Sequence, residues 1–123
     1  MIGKENQYKT MIRKFIFMCL PTSGQRSRYI YKHKHLFHEV GEKLFFQSRL
    51  FPSDPQLISI GNNVNIAAGV VFINHDIMHA LINKMNNGCI KMWGGCIKIG
   101  NNVMIGAKCI ILPNVEIGDN VVI

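Results

Sequence analysis

A six-residue spacing of isoleucines dominates the last quarter of the chain. Five of them recur at intervals of six without a miss, at Ile99, Ile105, Ile111, Ile117 and Ile123. An α-helix repeats every 3.6 residues and a strand alternates every two, so neither element explains this spacing. A fixed hexad is typical of a β-solenoid, in which each hexad forms one short side of a coil. The spacing therefore predicts stacked three-sided coils whose isoleucines point inward.

A second apolar position follows four residues after each of the first four isoleucines. It is occupied by Val103, Cys109, Val115 and Val121. These side chains are expected near the corners of the coils, so Cys109 is predicted to lie in the core. Sharp corners use the left-handed backbone region, which Gly and Asn tolerate. The segments IGNN at 60–63, IGNN at 99–102 and IGDN at 117–120 supply both residue types.

The same period is present earlier in the chain. Val40 and Phe46 are six residues apart, with Leu44 and Leu50 four residues after each. The turn-rich segment PSDP at 52–55 then breaks the pattern. Hexads begin again at Ile60, Ile66 and Phe72.

A second break carries most of the polar residues that could do chemistry. The segment VVFINHDIMHALI at 70–82 contains two histidines, an aspartate and an asparagine, and the later hexads resume in a shifted phase. We predict that residues 74–92 form an extended loop inserted into the solenoid. This loop leaves the wall after Phe72, places His75 at the rim and returns near Trp93.

The N-terminal part of the chain carries helical patterns. A helix is predicted over residues 5–20, because apolar residues recur there at helical spacing. These residues are Tyr8, Met11, Ile12, Phe15 and Cys19. Thr22 and Gln25, just after Pro21, have the spacing of a capping box that starts a second helix, predicted to reach about residue 38. We divide the chain into a helical segment, 1–39, and a solenoid, 40–123.

The net charge of +7 is concentrated in the N-terminal part, since ten of the fourteen Lys and Arg residues precede residue 51. This excess suits an anionic partner such as nucleic acid, a phospholipid headgroup or a phosphorylated cofactor. KHKH at 32–35 is interpreted as a solvated basic surface, because adjacent residues on a helix do not face each other. The apolar run FIFMCL at 15–20 is far too short to span a bilayer.

The four cysteines provide no metal or disulfide pattern. None of Cys19, Cys89, Cys96 and Cys109 belongs to a C-x-x-C pair, so neither a zinc knuckle nor a disulfide framework is indicated. We interpret them as reduced thiols and expect a cytoplasmic protein.

The hexads and the histidine segment together resemble the hexapeptide-repeat acyltransferases. Within that superfamily the chain looks most like the maltose, galactoside and capsular-polysaccharide O-acetyltransferases. The segments that carry the resemblance are LPTSGQRSRYIYKHK, ISIGNNVNIAAGVVFINHD and IKIGNNVMIGAKCIILPNVEIGDNVVI. The resemblance implies a left-handed parallel β-helix, acetyl-CoA as cosubstrate, no metal, and a homotrimer. It implies a saccharide or other small-molecule acceptor rather than nucleic acid, and no membrane-spanning segment.

By the same resemblance, His75 corresponds to the general base of these enzymes. A hydroxyl is a poor nucleophile until a neutral imidazole takes its proton. Asn74 or Asp76 is expected to orient the ring, and the sequence does not choose between them. Relatives frequently carry Thr at position 74, which is also small and hydrogen-bonding. A surface role is expected for His79.

The resemblance also implies a coenzyme A trough between neighbouring solenoids of the trimer. Gly106 and Ala107 are candidate backbone contacts, and Met104 stands where many relatives carry an aromatic residue. The inserted loop is expected to reach a neighbouring subunit. Trp93 is in phase with the later isoleucines and is expected first to pack in the core or at an interface, and second to contact the acceptor.

Two alternative functions are compatible with these patterns, and a third is disfavoured. The first is a non-catalytic or inactive truncated solenoid, because the family normally continues with a further coil, a basic loop and a cap beyond Ile123. The second is an acetyltransferase for a xenobiotic or a serine hydroxyl. The third, a γ-type carbonic anhydrase, needs three zinc-binding histidines, and no histidine follows His79.

Overall fold

The computed structural model describes residues 4–86, 88, 91 and 94–123. Within them, the α-helices are α1 (Lys4–Cys19), α2 (Ser23–Lys32) and α3 (Met78–Asn86). Two short 3-10 helices cover Lys34–Leu36 and Pro55–Leu57. The strands are β1 (Glu39–Val40), β2 (Leu44–Phe46), β3 (Ile58–Ile60), β4 (Val64–Ile66), β5 (Val71–Phe72), β6 (Ile97–Ile99), β7 (Val103–Ile105), β8 (Ile110–Ile111), β9 (Glu116–Ile117) and β10 (Val121–Val122).

The strands form three parallel sheets that are the sides of a solenoid. Sheet A has the order β1-β3-β6-β9, sheet B the order β2-β4-β7-β10, and sheet C pairs β5 with β8. Successive coils are in register on the repeat, with Ile60 beside Ile99 and Ile99 beside Ile117. The predicted three-sided coils are therefore confirmed.

The core is a stack of the predicted inward side chains. Ile60, Ile66 and Ile105 are fully buried, and Val103 is also buried. Cys109 is only partly buried but packs against this core. The inward position predicted for Leu50 is wrong, because Leu50 is 42% exposed. No strand follows β2 in the described residues of the first coil. There the fully buried residue is Ser48, whose hydroxyl donates to the Val70 carbonyl.

The turns between sheets A and B form what we call the ladder edge: residues 41–43, 61–63, 100–102 and 118–120. Here the Asn101 side-chain oxygen accepts from the backbone N–H of Asn62 at 2.8 Å, and the Asp119 carboxylate accepts from the N–H of Asn101 at 2.7 Å. The last residue of all four turns has a positive φ: Lys43, Asn63, Asn102 and Asn120. Side chains thus continue the hydrogen bonding of the sheets across the corners.

The glycines of the ladder edge have a different role from the predicted one. Gly69, at another corner, is the glycine with a positive φ among the described residues. At the ladder edge the constraint is the distance between coils. A Cβ on Gly61 would lie 2.4 Å from the carbonyl oxygen of Gly100, and one on Gly100 would lie 2.8 Å from the carbonyl carbon of Gly118. Only a residue without a side chain fits between such closely stacked backbones.

The predicted N-terminal helices are present, but the face of α1 that packs against the solenoid is not the one that the apolar spacing predicts. Tyr8, Met11, Ile12 and Phe15 are 60–71% exposed, whereas Phe17 is fully buried. Phe17 packs edge-on against Phe46 of β2 and against Phe51. The aromatic cluster on the first coil therefore determines how α1 is oriented.

Two arginines hold the C-terminal end of α1. Arg26 donates to the Leu20 carbonyl at 2.7 Å, and Arg49 donates to the carbonyls of Met18 and Leu20 at 3.1 and 2.9 Å. Cations are favourable at this end of a helix dipole. Burial, together with the charge of Arg49, lowers the pKa of Arg26 below its ordinary value.

The predicted start of α2 is confirmed and its predicted end is wrong. Thr22 and Gln25 form the capping box, with the Thr22 hydroxyl accepting from the Gln25 N–H at 3.2 Å. The helix ends at Lys32 rather than near residue 38, and a 3-10 turn follows. This turn brings His35 and Leu36 beside the first coil.

Candidate active site

The turns between sheets C and A form what we call the insertion edge: residues 52–57, 73–96 and 112–115. Phe72 pairs with Ile111, and Ile99 pairs with Ile117. The chain needs only one hexad to run from Ile111 to Ile117, but the whole segment 73–98 lies between the equivalent positions Phe72 and Ile99 of the preceding coil. The phase shift in the sequence is this insertion.

The insertion is not a wholly extended loop as predicted, because α3 occupies nine of its residues. The Asp76 carboxylate accepts from the backbone N–H of Met78, the first residue of α3, at 3.0 Å. A carboxylate at this position complements the positive end of the helix dipole. Asp76 therefore shapes the insertion and makes this contact rather than one to the histidine ring.

The two ends of the insertion are held together by Asn74. Its side-chain Nδ2 donates to the Gly95 carbonyl at 2.8 Å, and its backbone carbonyl accepts from the Gly95 N–H at 2.8 Å. His75 forms an antiparallel bridge with Gly94 directly beside this pair. Asn74 is only 2% exposed, and its Oδ1 has no hydrogen-bond partner within the part of the chain that the structure describes. The neck of the insertion is therefore fixed where His75 emerges.

His75 lies against Asp54, a residue that sequence reasoning missed. His75 Nδ1 and Asp54 Oδ2 are 2.5 Å apart, and the two side chains are 38% and 20% exposed. Asp54 Oδ2 is itself buried, and the histidine ring is the polar group that the structure brings against it. With Nδ1 directed at the carboxylate, Nε2 is the nitrogen left to meet a substrate.

The signal for Asp54 was present in PSDP at 52–55. This segment forms the insertion-edge turn of the first coil, directly below the turn that carries His75. Neighbouring strands of a sheet lie about 4.8 Å apart, so side chains on successive turns of one edge can touch. The sequence shows two breaks in the hexads, and only the fold shows that they stack.

His79 is half-buried rather than a plain surface residue. Its Nδ1 is buried and has no hydrogen-bond partner among the described residues. Within the same residues, no three His, Cys, Asp or Glu side chains are grouped to hold a metal ion. Trp93 lies outside the described residues.

The residues predicted to contact coenzyme A lie away from His75: Gly106 and Ala107 lie across sheet C from it, and Met104 lies on sheet B. Met104 is 44% exposed on the outer face of β7. Gly106 and Ala107 follow at the turn between sheets B and C, and the N–H of Gly106 already donates to the Ile123 carbonyl at 2.8 Å. Ala107 is exposed. One chain therefore does not bring these residues together with His75.

Comparison with known proteins agrees with this architecture. The bacterial transferase hexapeptide family, described by six repeats, matches residues 96–123. Over 86 residues the chain is 38% identical to galactoside O-acetyltransferase of Escherichia coli K12, covering 68% of this chain and 40% of that protein. Over 91 residues it is 46% identical to Protein CapG of Staphylococcus aureus, covering 68% of this chain and 49% of that protein. The matches thus span less than half the length of either relative.

A solved structure has the same fold. It is the crystal structure of a hexapeptide-repeat containing acetyltransferase from Vibrio cholerae, which superimposes with a TM-score of 0.53 at 17% identity over 94% of this chain and 77% of that one. The coil stacking, the matched repeats and the two relatives agree: residues 96–123 carry the repeats of the bacterial transferase hexapeptide family, and the chain is similar to hexapeptide-repeat proteins over 68% of its length. No helix among the described residues is long and apolar enough to cross a membrane.

Proposed function

We propose that this chain transfers an acetyl group from acetyl-CoA to a hydroxyl of a sugar or polysaccharide, with His75 as the general base. The observation that carries the proposal is the pair of His75 and Asp54 at the rim of the insertion edge. A histidine beside a carboxylate, with its other nitrogen free for substrate, is the arrangement of a general base. The similarity to galactoside O-acetyltransferase and the matched transferase hexapeptide repeats support acetyl transfer as the reaction.

In the proposed reaction, Nε2 of His75 takes the proton of the acceptor hydroxyl. The alkoxide oxygen attacks the thioester carbonyl carbon, a C–O bond forms and the C–S bond breaks. The leaving thiolate then takes the proton from His75, which returns to its neutral form. Asp54 stabilises the imidazolium in between and holds the ring with Nδ1 protonated.

We assign positioning roles to the two neighbours of His75. Asn74 fixes the neck of the insertion through its bonds to Gly95. Its buried Oδ1, unpartnered among the described residues, is suited to accept from a second hydroxyl of the acceptor. Asp76 fixes the start of α3, three residues after His75.

We further propose that the complete site forms between two copies of the chain. In one chain His75 is separated from the candidate coenzyme A contacts, because Gly106 and Ala107 lie across sheet C from it and Met104 lies on sheet B. A neighbouring solenoid whose Gly106 corner faced His75 would complete the site. The trimer that the resemblance implies would place neighbouring solenoids in this way. The exposed Met104 and Ala107 are free to face such a neighbour or coenzyme A.

The test is acetyl transfer from acetyl-CoA to a panel of sugars, followed by release of coenzyme A and by mass spectrometry of the sugar. His75→Ala is expected to lower the rate by roughly 10³-fold, within the usual range for loss of a general base. His79→Ala, which removes a histidine from the same insertion, is expected to stay within about threefold of wild type. Equal rates for wild type and His75→Ala would refute the assignment of His75.

A further inference from the structure

A groove of about 460 Å³ lies between α1 and the turn that carries Asp54. Lys9 and Arg13 of α1 form one wall, and His35 contributes from the 3-10 turn after α2. Ser53 and Pro55 form the opposite wall. The volume is in the range of small-molecule sites.

The described lining residues of this groove carry charge of one sign. None of its described lining residues is an aspartate or a glutamate, whereas Lys9, Arg13 and His35 come together from two separate elements. Asp54 follows Ser53 in the chain, but its Oδ2 is engaged by His75. Two cationic side chains with an imidazole ring beside them favour a phosphate or carboxylate over a neutral ligand.

The wall formed by α1 is fixed in place. Lys14 Nζ donates to the Ser53 hydroxyl at 2.9 Å, which ties α1 to the turn that carries Asp54. One turn further along α1, Phe17 is fully buried in the aromatic cluster. The cationic side chains are therefore held on a rigid element rather than on a mobile tail.

The groove is adjacent to the proposed base. Ser53 and Pro55 are the residues on either side of Asp54, and Asp54 contacts His75 in the next coil. The groove and the histidine therefore lie on the same edge of the solenoid, about one coil apart, or roughly 5 Å. A ligand anchored in the groove can extend a hydroxyl toward Nε2 of His75.

The floor of the groove suits a sugar ring. Leu36, Phe51 and Pro52 line it, and Phe51 is held edge-on by Phe17 and Phe37. Apolar side chains beside a few polar groups are the usual composition of a small-molecule site. The C–H face of a pyranose ring can pack on such a floor, while a charged substituent of the ring binds to Lys9 and Arg13.

We propose that this groove binds an oxyanion group, phosphate or carboxylate, of the saccharide acceptor. The proposal rests on the proposed function, since it names the class of acceptor that His75 deprotonates. It makes the natural acceptor an acidic saccharide, with the acetylated hydroxyl on the same or an adjacent ring as the anionic group.

The test is the affinity of the full chain for glucose, glucose 6-phosphate and glucuronic acid, measured by titration calorimetry at low ionic strength. At least one acidic sugar is expected to bind tenfold or more tightly than glucose, and the two acidic sugars distinguish phosphate from carboxylate. Arg13→Gln is expected to remove at least fivefold of the preference for the acidic sugar and to leave glucose unchanged. His35→Gln tests the same groove without altering α1, and Arg28→Gln, an exposed cation outside the groove, is the control with wild-type preference.

Two results would overturn the proposal. One is equal affinity of the wild type for glucose and for both acidic sugars. The other is a loss of affinity for coenzyme A, rather than for the acidic sugar, in Arg13→Gln and His35→Gln, which would assign the groove to the cosubstrate. Because binding is measured without turnover, anion selectivity in a chain that transfers no acetyl group would sink the proposed function and retain the anion site.

Discussion

The two edges beside sheet A are built by opposite rules. At the ladder edge every turn repeats the last one, with glycines that let the coils approach and with Asn and Asp side chains that bridge them. At the insertion edge no two turns match: one carries Asp54, one carries the insertion with α3, and one carries Asn114 with a φ of 63°. The regular edge stabilises the stack, and the irregular edge presents the polar groups that can do chemistry.

The largest effect is expected from adding a methyl group at the ladder edge, which tests whether the coils there are held at their contact distance. Gly61→Ala places a Cβ 2.4 Å from the carbonyl oxygen of Gly100, so the coils must separate. The free energy of unfolding is expected to fall by about 3 kcal/mol, at the upper end of the usual cost of overpacking. Denaturant titration measures it.

The control for that change is Gly24→Ala in α2. The atom nearest to a Cβ there is the Thr22 hydroxyl oxygen at 4.0 Å. Alanine is favoured over glycine in a helix by up to about 1 kcal/mol, so this variant is expected to be as stable as wild type or more stable. A Gly61→Ala variant that matches Gly24→Ala would show that the coils are not held at their contact distance.

The second prediction concerns Asp54 and affects rate rather than stability. Asp54→Asn keeps the size of the side chain and removes its charge, so the His75 ring loses its anionic partner. We expect kcat for acetyl transfer to fall roughly 30-fold, about 2 kcal/mol, while the KM for acetyl-CoA and the melting temperature stay near wild type. Steady-state kinetics and a thermal melt measure both.

Asp76→Asn is the matched change in the same edge. It weakens the start of α3 and leaves the His75–Asp54 contact in place, so its effect on kcat is expected to be within about threefold. If Asp76→Asn proved the more damaging of the two, the assignment of Asp54 as the partner of His75 would have to be abandoned.

The smallest effect is expected from the loss of one side-chain hydrogen bond between coils at the ladder edge. Asn101→Ala removes the oxygen that accepts from the Asn62 N–H at 2.8 Å, in a solvent-exposed turn where water replaces part of the bond. We expect a loss of about 1 kcal/mol in unfolding free energy with unchanged kcat. Asn65→Ala on the outer face of β4 serves as the comparison and is expected to change stability by less than about 0.5 kcal/mol.

The difference between the edges also explains what could be predicted from the sequence. The inward isoleucines recur at a fixed interval, so their burial follows from local spacing alone. The partnership of Asp54 with His75 depends on which turns stack across coils, because the two residues lie in separate coils with β3, β4 and β5 between them along the chain. No local pattern encodes that stacking once the hexads are interrupted.

Two other predictions were wrong because contacts in the tertiary structure override the local sequence pattern. Glycine at a corner was expected for its backbone freedom, but Gly61 is needed because a second backbone lies against it. The apolar spacing of α1 predicts that Met11 and Phe15 are buried. They are exposed, and Phe17 is the residue of α1 that packs in the aromatic cluster of the first coil. In both places the deciding contact comes from residues distant in sequence.

The most direct test of the division between the edges is a chain from which the segment 74–94 is deleted. The deletion shortens the insertion to the length of a normal turn and places Gly95, Cys96 and Ile97 in register with the corresponding turn at 113–115. Cys96→Asn is added, because Asn114 holds the positive φ of that turn. We predict that the deleted chain keeps a cooperative thermal transition and the far-ultraviolet signature of β-structure, while acetyl transfer from acetyl-CoA, measured beside the undeleted chain, falls to background. Acetyl transfer by the deleted chain at a rate near that of the undeleted chain would contradict the account.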